Sequence, residues 1–171
     1  MIDARSILSA ISSDVSCKES IVHESGEKVK WYPILKCDPA GLLLGVEQEG
    51  KWVVEAKSCL YILSEAGSFW RLVSLLEQPL NDIRSEVAEV FNKSLDVSTN
   101  IDDIFPFTDI VRSGLEFGTK HWAEKAFEWY DELLPEKKQH LRDSLTKLET
   151  AKWASQKLRQ KAKKELKRMD F

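Results

Sequence analysis

The hydrophobic period of this chain changes from two to helical close to residue 65, and that change limits the fold more than any single motif does. In Lys51-Trp-Val-Val-Glu-Ala-Lys57, Trp52, Val54 and Ala56 alternate with Lys51, Glu55 and Lys57. That is the period of two required of a strand with one wet face, and only Val53 breaks it. Leu42 to Gln48 reads as its hairpin partner across a tight Glu49-Gly50 turn. Asp38-Pro39-Ala40-Gly41 reads as a type I turn that follows a first strand, Val29 to Cys37. Pro33 offers no backbone N–H, which places that strand at an edge or a break. Cys59 to Leu63 is apolar throughout and reads as a further, buried strand. Before all of these, Ala4, Ile7, Leu8, Ile11 and Val15 recur at helical spacing.

From residue 66 onward the signal is helical. Phe69, Val73 and Leu76 mark one helix, and Ile83, Val87, Val90 and Phe91 a second, after Pro79 with Asn81 as its cap. Leu95 to Phe107 reads as a loop. Thr108 and Thr119 are candidate caps, Gly118 a stop, and Pro135 the start of a last helix running toward Arg168. Strands followed by helices give an α+β protein. The expected architecture is an N-terminal helix, a small antiparallel β-meander of three to five strands, and a larger helical C-terminal part ending in a long basic helix. At 171 residues one domain is expected, with its sheet part in 1–64, a helical part in 65–134 and the basic helix in 135–171. A straight last helix would extend about 50 Å, longer than a domain of this size is wide, so it either kinks or projects.

The mean hydropathy is −0.33 and no apolar run reaches the roughly 18 residues of a membrane span. The first residues lack the basic stretch and apolar block of a signal peptide, so the expectation is a soluble cytoplasmic protein. Cys17, Cys37 and Cys59 are odd in number and widely spaced, which fits neither a disulfide framework nor zinc-binding pairs.

Signatures of chemistry are scarce. GxSxG, the Walker loop and GxGxxG are absent from the sequence, and Gly41-Leu-Leu-Leu-Gly45 lies in a strand rather than ahead of a helix. Asp96 to Asp103 spaces oxygen side chains as a calcium loop does, but Ile101 and Phe107 stand where Gly and Glu are needed. His121, Glu124 and Glu128 follow one another at one-turn spacing, as a metal site or proton relay would, and equally as a solvated helix face does. No catalytic residue, cofactor or metal is therefore expected. An enzyme remains open only as a site assembled in space, around His121 or a Cys and His pair.

Charge and aromatic residues point elsewhere. Residues 147–171 carry nine Lys and Arg against three Asp and Glu, which leaves the preceding body at −9 and the tail at +6. Two such halves can meet a charged partner or neutralise one another. On the helix read over 120–134, the carboxylates Glu124, Glu128, Asp131 and Glu132 lie opposite an arc that includes Trp122, Trp129 and Tyr130. The leading expectation is a non-catalytic protein-binding module in which those carboxylates steer a basic partner and Trp129 or Tyr130 anchors it. This small, acidic, soluble profile resembles that of bacterial immunity and antitoxin proteins, and the resemblance implies a basic, nuclease-type toxin as partner. The alternative is a nucleic-acid-associated protein using Lys157, Lys161, Lys164 and Arg168. These oppose a narrow stripe of Ala151, Ala154, Leu158, Ala162, Leu166 and Met169, too rich in Ala for tight membrane binding. Trp153 falls on the lysine side, where it must be exposed, stacked beneath a lysine or covered by another chain.

Overall fold

The computed structural model describes residues 8, 16–37, 41–64, 66–94 and 100–170. Five strands come first: β1 (Lys18–Val22), β2 (Lys28–Cys37), β3 (Leu42–Glu47), β4 (Trp52–Ala56) and β5 (Cys59–Leu63). Each pairs antiparallel with the next, and the meander closes into a barrel because β1 pairs in parallel with β5, Ile21 opposite Cys59 and Val22 opposite Leu60. The sequence reading anticipates the meander but neither β1 nor the closure, since five residues, KESIV, are too short a run to display a period. Pro33 lies where β2 breaks register against β3, between Pro33 and Leu35. The β1 pairing has already ended at Trp31, so its missing N–H costs no ladder bond on that side.

β4 buries both faces at Trp52, Val53 and Val54, which explains the apolar Val53 in an otherwise alternating strand. Inside the barrel, Val22, Trp31, Val53 and Leu60 form a small core drawn from β1, β2, β4 and β5. Gly45 makes room for it: a Cβ there would stand 2.6 Å from Cε3 of Trp31 and 2.2 Å from the Tyr32 carbonyl oxygen. On the outer face Leu44, Val46, Trp52 and Val54 join the main core with Phe69, Leu72, Phe105 and Phe107. Glu55, expected on a wet face, instead shares the inner side with Val53. There Trp31 Nε1 donates to Ser20 Oγ at 3.0 Å, and Glu55 accepts from Ser20 Oγ at 2.7 Å and Lys18 Nζ at 2.6 Å.

Residues Ala66–Glu77 follow as consecutive 3-10 turns rather than the α-helix their spacing suggests. Then come α1 (Leu80–Ser94), α2 (Ile101–Ile104), α3 (Phe107–Glu116), α4 (Lys120–Glu132), α5 (Pro135–Gln139), α6 (Arg142–Thr150) and α7 (Gln156–Met169). Asn81 lies inside α1, which starts at Leu80, and its amide reaches Glu132 Oε2 at 2.9 Å. Thr108 lies inside α3, which starts at Phe107 after Pro106. Thr119 does cap α4, accepting from Trp122 N at 3.4 Å, and Gly118 ends the preceding turn at φ +88°.

The long basic helix is corrected to three short ones. Ala151 is extended at φ −67°, ψ 124°, and Ser155 Oγ accepts from Leu158 N at 3.3 Å to start α7 afresh. The reason is burial. Leu145 and Leu148 of α6 and Leu158 and Ala162 of α7 all enter the main core, and a straight rod of that length would carry one pair off the body. The expected opening helix lies outside the described residues except for Leu8, which packs half-buried against the same core. Asp38 to Ala40 of the expected turn also lie outside them. Among the described residues no helix is long and apolar enough to cross a membrane.

Candidate functional site

Two surfaces carry the residues singled out from the sequence. The first is α4. Its apolar arc packs into the core as amphipathic spacing demands, and this takes Trp129 and Tyr130 with it, each only 1% exposed. Trp129 Nε1 donates to the Gln78 carbonyl at 2.8 Å. Burial, followed by the nearby carboxylates of Glu165 and Asp131, raises the Tyr130 phenol above its ordinary range. Neither ring stands at the surface as an anchor must. Trp122 is half-buried and meets Phe117 edge-on at 6.1 Å.

The four carboxylates do lie on the exposed side, and each is engaged by the chain itself. Glu124 faces Lys120 at 3.7 Å, Glu128 faces Lys125 at 3.1 Å, and Asp131 faces Lys161 of α7 at 2.8 Å. Glu132 accepts from Asn81. His121 turns away from Glu124: its Nε2 lies 2.5 Å from Glu77 Oε1, across from the 3-10 segment. Among the described residues no three His, Cys, Asp or Glu side chains gather as a metal site requires.

The second surface is α7. Leu158, Ala162 and Glu165 face inward, and the single carboxylate of the helix, Glu165, is buried against Arg168 at 2.6 Å. All eight exposed residues of α7 are therefore Lys, Arg or Gln: Gln156, Lys157, Arg159, Gln160, Lys163, Lys164, Lys167 and Arg168. Lys161 sits at the margin, paired with Asp131 and 4.5 Å above the Phe127 ring. Lys163 reaches Glu149 at 3.9 Å. Lys157, Arg159, Lys164 and Lys167 have no ion pair among the described residues. The chain matches no family model, no curated protein and no solved structure.

Trp153 lies in the turn between α6 and α7 rather than on a helix, 40% exposed, just ahead of the cationic face. A third feature has no counterpart in the sequence reading. Trp70 and Phe117, 47% and 39% exposed, line a shallow cavity of about 180 Å³ with Arg112 and Glu116. Both polar groups are already engaged, Arg112 by Asp109 and the His140 carbonyl, and Glu116 by Ser144 and Lys147. Only tertiary structure joins Trp70 to Phe117, so no local spacing could have announced the pair.

Proposed function

We propose that the protein is a non-catalytic binding module that holds the phosphate backbone of a nucleic acid along α7. One observation carries this reading: the exposed surface of α7 is wholly cationic or amide, and its only carboxylate is turned inward. From Lys157 to Arg168 the helix rises about 16 Å, comparable to four or five phosphate steps of one strand. Point charges at such spacing release counterions and bind without reading sequence. An acidic protein would need a desolvated apolar anchor near the centre of the face, and a membrane surface an apolar side to insert; the exposed arc supplies neither. A protein partner on α4, the immunity-type reading included, has less support, because its carboxylates are engaged and both proposed anchors, Trp129 and Tyr130, are in the core.

Deleting the tail would expose the main core, so the test keeps the helix. The variant Lys157→Gln/Arg159→Gln/Lys164→Gln/Lys167→Gln preserves helix propensity and removes four charges. Fluorescence anisotropy with a labelled duplex across a salt series should show wild-type affinity falling linearly in log–log form. In the variant the slope should flatten by up to about 3.6, roughly 0.9 per lost phosphate contact. A wild type that ignores duplex and single strand alike at low salt, or a variant that binds as well as wild type, overturns the proposal. Retention of polyglutamate but not of nucleic acid would reassign the face to acidic proteins.

A further inference from the structure

A cleft lies at one end of the barrel, and its chemistry is of the opposite sign to that of α7. It has a volume of about 500 Å³, within the range of small-molecule sites. It is lined by the apolar side chains of Val22 and Ile62, by Glu24 and Glu27, and by Ser64 and Ser68. The two carboxylates come from the turn between β1 and β2, and it is held firmly. Val22 N donates to the Glu27 carbonyl at 2.8 Å, Gly26 N to the Val22 carbonyl at 2.8 Å, and His23 N to Leu60 O of β5 at 2.8 Å. Gly26 takes φ +73°, the left-handed conformation that lets the turn double back, and Glu24 and Glu27 on either side of it both line the cleft.

The charge balance of the cleft decides the ligand. Lys51 is the one cation on its rim, and it is held by Glu49 at 2.7 Å. Glu24 and Glu27 carry no ion pair among the described residues. Two uncompensated carboxylates, hydroxyl acceptors and an apolar lining together suit an ammonium group on an aliphatic stem. We propose that this cleft binds a small aliphatic amine, its charge between Glu24 and Glu27 and its methylenes on Val22 and Ile62. The site is independent of the proposed nucleic-acid face, and either can fail without the other.

The probe is 1,5-diaminopentane, with pentane-1,5-diol as its neutral counterpart, titrated into isotopically labelled protein at physiological ionic strength and followed by NMR. The diamine should shift the Glu24 and Glu27 amides and the Val22 and Ile62 methyl groups saturably, and the diol should leave them unmoved. Glu24→Gln/Glu27→Gln, both at exposed positions, should weaken the diamine about tenfold or more while the remaining spectrum stays native. Absence of saturation, equal response to the diol, unchanged affinity in the double variant, or shifts confined to other acidic surfaces would each overturn the assignment.

Discussion

At the scale of single residues, the barrel depends on groups whose roles are set by neighbours distant in sequence. Burial alone would raise the Glu55 carboxyl, but hydrogen bonds from Lys18 and Ser20, with the Lys18 charge, outweigh it and hold the group below the ordinary carboxylate range. Its ionised form therefore stabilises the fold above the unfolded carboxylate pKa of about 4.3, and that contribution disappears as pH falls through the lower folded value. Glu55→Gln should cost about 1–2 kcal/mol in urea unfolding at neutral pH. The gap to wild type should narrow by about pH 3, and a gap independent of pH would remove the ionised network. A second residue effect lies in the β4–β5 turn, where Lys57 and Ser58 take φ +49° and +65°. Two left-handed residues between paired strands suit Asn-Gly far better than Lys-Ser. Lys57→Asn/Ser58→Gly should raise stability by about 1 kcal/mol, read as a shift in urea midpoint at constant slope. Nothing in Lys-Ser announces such a turn, whereas Glu49-Gly50 was legible because Gly50 carries the positive φ, +86°.

Among the elements, legibility followed the range of the signal. The Thr119 cap and the Gly118 stop are local and could be read directly. The Lys51 to Lys57 strand was placed by its alternation, although its second face turned out to line a barrel. The Ala151 break was hidden because Ala151, Trp153 and Ala154 do not interrupt helical spacing; what ends the helix is the need of two apolar stripes to reach one core. On α4 the wheel correctly separated carboxylates from aromatic rings. It could not tell a ring at a rim from one in the core, which is how Trp129 and Tyr130 came to be candidate anchors. Gly114 shows the same dependence on packing. In α3 an Ala normally gains about 1 kcal/mol of helix propensity over Gly. Here the added Cβ would stand 2.5 Å from Leu76 Cδ1 and 2.8 Å from Ala126 Cβ, at the crossing with α4 and the 3-10 segment. Gly114→Ala should therefore destabilise by about 1–3 kcal/mol, and a rise in melting temperature would contradict that crossing.

For the molecule as a whole, the opposite charges of body and tail are partly spent inside the fold. Lys161 meets Asp131 and Lys147 meets Glu116, so the formal +6 of the tail overstates what a partner encounters. The main core takes Trp52 and Val54 from the barrel and Phe69, Phe105, Trp129 and Leu158 from the helical part. A core shared in this way couples the two parts. Urea unfolding followed by tryptophan fluorescence and by far-ultraviolet circular dichroism should give coincident transitions, and separated midpoints would show that barrel and helices unfold independently.

The parallel seam between β1 and β5 has a further consequence. An open five-strand meander would present a row of unanswered amide and carbonyl groups along each margin, an invitation to strand exchange and fibrillar stacking. Here the first and last strands answer one another at Ile21–Cys59 and Val22–Leu60. Along this seam a visiting peptide finds no margin to extend. A mutation that loosens the seam should therefore first show itself as self-association rather than as lost binding.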